Sequence, residues 1–229
     1  MVFTNRCGLI IAALLLAACS QTPSQSTDNT DAVVDDNTKQ SVDIAVADKK
    51  PQPNPYLVNP PSVSQKAKRL FNQALAAMQN KQWAQAEVLL QDMQTNYPSL
   101  AGVQVNLGIV YRQTDRLPQA IEVLNSAINT NPDNFDAYNE LAILHRSLGE
   151  FERAETLYKK ALKRWDAQPV IHRNLGILYE LYMGRTNDAL LHYEQAQLLL
   201  DTPDKKLAGW IKDVKRRLAK AASRQGNKS

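Results

Sequence analysis

Between Gly102 and Ala161 the chain repeats itself. The pattern of the first half returns 34 residues later: Leu107-Gly108 as Leu141-Ala142, Ala120 as Ala154, and Ala127 as Ala161. The period extends both ways. Ala86, Ala120 and Ala154 keep the step of 34, and Ala189 follows after 35. Ala74, Gly108, Ala142 and Gly176 form a second small-residue series on the same step. A fixed period of this length means stacked units, each of which buries its apolar face only against its neighbours. Small residues at fixed places are what two closely crossing helices require, because a side chain larger than a methyl would push the backbones apart. Apolar residues fall at helical spacing around them: Leu107, Val110 and Tyr111, then Ile121, Leu124 and Ile128. Asp115 and Gly149 occupy the same turn in successive units, and glycine there can take the left-handed conformation that ends a helix. Pro98 and Pro132 close the first two units. These features predict an all-α stack of about four helical hairpins.

With those residues in place the chain resembles the tetratricopeptide repeat (TPR) family. The second unit matches best, with Leu107, Gly108, Tyr111, Ala120, Leu124, Ala127 and Pro132 at the signature positions. The third carries Tyr138, Leu141, Ala142, Gly149, Phe151, Ala154, Tyr158 and Ala161, but has His145 where Tyr is usual and Asp166 where the closing Pro is usual. The resemblance divides residues 63–203 into repeats at 67–100, 101–134, 135–168 and 169–203. The turn Leu181-Tyr182-Met183-Gly184 of the fourth holds one extra residue, so its helices are expected to pair at a shifted angle. The resemblance implies a right-handed superhelical solenoid whose first helices line a concave groove. It places Asn72, Leu75 and Gln79 there from repeat 1, and Val105, Asn106, Ile109, Arg112 and Gln113 from repeat 2. Asn139, Glu140, Ile143 and Arg146 follow from repeat 3, and Arg173, Asn174, Ile177 and Glu180 from repeat 4. Ile109, Ile143 and Ile177 beside Arg112, Arg146 and Arg173 suit a peptide or helix with apolar anchors and some acid. The plainer alternative is that the isoleucines pack between repeats and the arginines are solvated. Asn72, Asn106 and Asn174 read as structural. The family's clamp for chaperone C-termini is not reproduced, since Val170 and Asn174 stand at its basic positions.

The N-terminus reads as an export signal. Arg6 precedes an apolar run from Leu9, which ends in Leu16-Ala17-Ala18-Cys19. That resembles a bacterial lipobox, with residues 1–18 removed and Cys19 acylated (palmitate among its lipids) as the first mature residue. An ordinary secretory cleavage near Ala18 is the alternative. Ser20 implies outer-membrane delivery on the periplasmic face. The two cysteines are Cys7 and Cys19, so processing leaves one and no intramolecular disulfide. Residues 19–62 are a lipidated polar linker, too poor in apolar surface to offset its ordering entropy. Val42–Val46 alternates like a strand that could pair with a partner's sheet edge, but a slightly apolar piece of linker is the simpler reading. Tyr56, Leu57 and Val58 are placed to dock on the first helix.

At the other end, residues 204–222 read as a capping helix with Leu207, Trp210, Ile211, Val214 and Leu218 on one face. Its other face holds Lys205, Lys206, Lys212, Lys215, Arg216, Arg217 and Lys220 against Asp213, which is either a contact for anionic lipid or polymer or a solvated surface. Residues 223–229 are expected to be a disordered tail. The three histidines do not converge on a catalytic or metal site. His145 reads as packed, His172 starts repeat 4, and His192 lies four residues after Asp188, where a local contact is the simpler reading. No His-Glu-x-x-His, phosphate loop or Gly-x-Ser-x-Gly is present. The expectation is therefore a non-catalytic adaptor without metal or cofactor, membrane-held through Cys19, binding envelope proteins and not nucleic acid. In layout it resembles the TPR pilotin lipoproteins of type IV pilus secretins. Adaptors of cell-wall hydrolases, and a lipid- or polymer-binding protein, are the alternatives.

Overall fold

The computed structural model describes residues 53–58 and 62–226. They fall within one compact unit, Asp48–Ser229. The signal segment, Cys19, the Val42–Val46 stretch and most of the linker lie outside the described residues.

The fold is all-α. A short helix, α1 (Pro55–Val58), precedes four hairpins: α2 (Gln65–Gln79) with α3 (Trp83–Asn96), α4 (Ala101–Gln113) with α5 (Leu117–Thr130), α6 (Phe135–Ser147) with α7 (Phe151–Arg164), and α8 (Pro169–Leu181) with α9 (Thr186–Leu198). A final helix, α10 (Lys205–Gly226), follows. It runs four residues past the expected end at 222, carried by Arg224 and Gln225, both good helix formers, as far as Gly226. Helix starts are fixed by side chains at Ser64 and Asn134, which accept hydrogen bonds from the amides of Ala67 and Ala137.

Each hairpin turns through one left-handed residue. These are Lys81 (φ 57°), Asp115 (φ 60°), Gly149 (φ 78°) and Gly184 (φ 66°). Each turn is then closed by the amide of the residue before the second helix. Gln82 donates to Ala77 O at 2.8 Å, Arg116 to Tyr111 O at 2.8 Å, and Glu150 to His145 O at 2.9 Å. In the fourth hairpin Arg185 donates to Tyr179 O, again at 2.8 Å. The extra residue of that turn is thus absorbed in the loop, and the closing bond is kept.

The two small-residue series lie at the helix crossings. Ala74, Ala142, Ala86, Ala120, Ala154 and Ala189 are fully buried. A Cβ on Gly108 would come within 2.6 Å of Leu124, and one on Gly176 within 2.6 Å of the Tyr193 ring. The third hairpin ends without its usual proline. Trp165 takes an extended backbone after α7 and lays its ring against Phe135, centroids 5.4 Å apart. The apolar core is continuous along the stack, since each of its clusters draws on more than one hairpin. α10 covers the last hairpin with Leu207 and Val214 fully buried and Trp210, Ile211 and Leu218 packed beside them. Burying each of the first two stabilises by about 1.5–3 kcal/mol.

Candidate partner-binding face

The first helices, α2, α4, α6 and α8, present one face of the stack, and α10 continues it. Its anticipated residues do not behave alike. Val105 is 4% exposed and belongs to the core, so it offers no surface; successive first helices meet there. Ile109 and Ile177 are half-buried and lean on that core. Leu75 and Ile143 are half-buried, and Asn72 is exposed. Asn106 donates to Gly102 O at 2.7 Å, and Asn174 to Asn139 Oδ1 at 2.7 Å. Those asparagines tie the backbone and link α6 to α8. Arg112 is spoken for, with its Nη2 2.9 Å from Glu140 Oε2. Arg146 and Arg173 have no ion pair among the described residues.

Two hollows open on this face. One, of about 390 Å³, is lined by Val63, Lys68, Phe71 and Asn72 near the N-terminal end, with Tyr56 of α1 on its wall. Tyr56 reaches beyond the first helix. Its Oη approaches Gly102 of α4, and burial together with the Asp136 carboxylate of α6 raises its pKa. Asp136 is itself raised by burial. The other hollow, about 350 Å³, lies between α8 and α10 and is lined by Ile177, Glu180, Leu181, Tyr193, Trp210 and Asp213. Leu181 stands 66% exposed at its edge and Tyr182 46%. Leu181 and Trp210 were not among the anticipated groove residues. The period carried a signal for the first, because Leu181 follows Gln113 and Ser147 by the same step of 34.

The opposite seam is held by a recurring triad. Arg116 binds Glu87 of the previous hairpin at 2.7 Å and stacks on Tyr111, 4.6 Å from the ring centre. Two repeats on, Arg185 binds Glu155 at 2.9 Å and stacks on Tyr179 at 4.1 Å. The Arg116 hydrogen bond holds Glu87 below the usual carboxylate range. Burial pushes Glu155 up, but bonds from Lys159, Tyr179 and Arg185 outweigh it and the net shift is downward. At the junction between them His145 replaces the tyrosine. It is 8% exposed, with Nδ1 2.5 Å from Glu150 Oε2.

His192 faces a histidine. Its Nδ1 is 2.9 Å from His172 Nδ1, while His172 Nε2 lies 2.9 Å from the carbonyl of Asp166. A carbonyl only accepts, so His172 carries its proton on Nε2 and receives one hydrogen bond from His192. Burial, with His172 alongside, lowers His192 to about 4, and burial lowers His172. Asp188 binds Arg185 at 2.6 Å. His192 and Asp188 thus make separate local contacts, the histidine with His172 and the carboxylate with Arg185. Among the described residues no group of three or more metal-ligating side chains occurs.

The basic face of α10 is partly self-neutralised. Arg216 and Arg217 bind Asp213, Arg217 also binds Glu180, and Lys215 lies 2.6 Å from Glu194. Lys206 sits over Trp210 at 5.3 Å. No described helix is long and apolar enough to cross a membrane.

Models of the tetratricopeptide repeat match residues 99–167 and 133–197, and another matches 70–99. Together they span more than half of the chain. The chain belongs to the tetratricopeptide repeat family. Solved TPR structures superpose on it. TTC0263, a thermophilic TPR protein of Thermus thermophilus, gives a TM-score of 0.58 at 25% identity, over 66% of this chain and 81% of its own. Pseudomonas aeruginosa pilF gives 0.60 at 19% identity, over 69% and 72%. MamA of Desulfovibrio magneticus gives 0.55 at 15%, over 73% and 94%. At such identities the last two share the fold alone. Among curated proteins, the BBSome complex member BBS4 of Bos taurus is 30% identical over 93 residues, 40% of this chain but 18% of BBS4. Tetratricopeptide repeat protein 21B of Xenopus laevis is 30% identical over 92 residues, 39% of this chain and 7% of its own. The chain thus spans less than a fifth of the curated relatives it matches. TPR repeats mark a protein-interaction scaffold.

Proposed function

We propose that this TPR chain is a non-catalytic adaptor, acylated at Cys19 and held on the periplasmic face of the outer membrane. There it grips a segment of an envelope protein along the face of its first helices. The carrying observation is the hollow between α8 and α10, where Ile177 and Trp210 meet beside an exposed Leu181. An apolar cleft at the end of a rigid stack is where an apolar anchor of a peptide or helix gains most from leaving water. Anchoring rests on Leu16-Ala17-Ala18-Cys19. Assembly of a pilus or secretin complex is the favoured setting, on a lipobox followed by repeats; the superposition on pilF is a likeness of fold.

The test is crosslinking in intact cells followed by mass spectrometry of the envelope fraction. Wild type is compared with Ile177→Asp/Leu181→Asp and with Cys19→Ser. The expected result is one dominant envelope protein, lost with the double variant, and a chain that leaves the membrane fraction with Cys19→Ser. Partners unchanged by the double variant, or crosslinks to lipid and cell wall alone, would contradict the adaptor.

A further inference from the structure

The repeat sets up a comparison at two successive junctions. Arg112 and Arg146 hold equivalent positions, 34 residues apart, and so do Glu140 and Asn174. Between the second and third hairpins Arg112 meets Glu140 at 2.9 Å. Between the third and fourth the residue equivalent to Glu140 is Asn174, a neutral amide already bonded to Asn139. Arg146 therefore has no counter-charge. Its Nη1 is buried without a hydrogen-bond partner, as is Arg112 Nε; around the guanidinium lie the Tyr182 ring, 5.7 Å away, and Tyr158, whose buried hydroxyl also lacks a hydrogen bond.

The anions of this part of the face are already used. Glu140 is taken by Arg112, Glu180 by Arg217 and by the Tyr193 hydroxyl at 2.8 Å, and Asp213 by Arg216 and Arg217. Arg146 and Arg173 have no ion pair among the described residues; Arg146 reaches the hollow's edge through Tyr182, the neighbour of Leu181, and Lys206 sits over Trp210 on the far wall.

We propose that Arg146 is the anchor for the side-chain carboxylate of an Asp or Glu in the bound segment, whose neighbouring apolar residue fills the hollow between α8 and α10. The inference rests on the inner face being the binding face and names the chemistry it selects. A half-buried guanidinium gains more from a carboxylate than a solvated one does, and its planar fork matches two oxygens at once. Arg146 lies midway along the face, between Tyr56 at one end and Trp210 at the other, so the segment runs past it and presents a side chain.

The test is selection of random twelve-residue displayed peptides on the full chain, in detergent, followed by affinities of the recovered sequences made with amidated C-termini. Expected peptides carry an Asp or Glu close to an apolar residue. Replacing that acid by its amide should weaken binding at least about tenfold on wild type, and less than about twofold on Arg146→Gln. Ile177→Asp should abolish binding. Peptides without an acid, or held equally by Arg146→Gln while still lost on Ile177→Asp, overturn the carboxylate anchor and leave the binding face standing. Binding that vanishes on amidation of the C-terminus also overturns it, in favour of a terminal carboxylate. Peptides indifferent to both substitutions, or no peptide at all, overturn the inner-face reading itself.

Discussion

The junction between the second and third hairpins and the one between the third and fourth are built on one plan and differ in charge. In the first, Arg112 and Glu140 neutralise each other, and the arginine is part of the stack. In the second, Asn174 replaces the acid, its amide is turned to Asn139, and Arg146 is left without an ion pair, although each arginine keeps one covered, unbonded nitrogen, Nε of Arg112 and Nη1 of Arg146. A repeat array can thus keep one backbone geometry and still make its junctions chemically distinct. A closed pair is a structural bond, whereas an open half of the same pair is a place for something else to bind. The fourth hairpin differs in its packing as well. Gly108 faces the flexible end of Leu124, but Gly176 faces the rigid ring of Tyr193 and the carbonyl of Ala189 at 3.2 Å.

Equivalent substitutions in the two regions should part company. The largest effect is expected at Gly176→Ala, where neither ring nor backbone can withdraw. It should cost about 2–3 kcal/mol in urea denaturation, whereas Gly108→Ala should stay within about 1 kcal/mol, because Leu124 can rotate and alanine favours the helix by a similar amount.

Acid should act on the fourth hairpin first. His172 and His192 are depressed by burial, His192 to about 4, with Asp188, Lys159 and Arg185 as its charged neighbours. Above pH 6.5 both folded and unfolded chains hold them neutral. Below it the unfolded chain takes up protons first, so stability falls from about pH 6.5 towards 4, by on the order of 2–3 kcal/mol for His192. The unfolding midpoint measured against pH should flatten over that window in His192→Gln. Loss from Glu87 and Glu155, whose pKa values are lowered, comes below the ordinary glutamate range and should persist in the variant.

Smaller effects separate the arginines. Arg112→Gln strands Glu140, 16% exposed, and should lower stability by about 1–2 kcal/mol. Arg146→Gln removes no bond and should lie within about 0.5 kcal/mol of wild type by the same denaturation. Asn174→Glu should make the second junction resemble the first. Its stability change is expected within about 1 kcal/mol, the new pair offsetting the lost Asn139 bond. Acidic peptides selected on wild type should bind this variant at least about tenfold more weakly.

Much of this architecture was legible from the period of 34. It located the hairpins, the small residues at the crossings and the turn shared by Asp115 and Gly149. The same turn in the first hairpin was not evident, because Lys81 has no propensity for the left-handed conformation it adopts. The face was less legible. Arg112 and Arg146 look alike along the chain, and what separates them is a residue 28 positions further on. Val105 reads as surface by its place in the repeat, yet it is consumed where neighbouring first helices touch. The hollow at Trp210 needed α10 to be docked, and three of the charges of α10 that looked free, Lys215, Arg216 and Arg217, proved to be shared with Glu194, Asp213 and Glu180.

The binding face can be tested most directly with a photoreactive amino acid placed in the full chain in living cells at Leu181 or at Val88. The two sites are equally exposed, at 66%, but Leu181 ends a first helix beside the hollow and Val88 lies on the second helix of the first hairpin. The account predicts one discrete protein adduct from position 181 and none from position 88. An adduct of the same size from position 88, with none from 181, would contradict it.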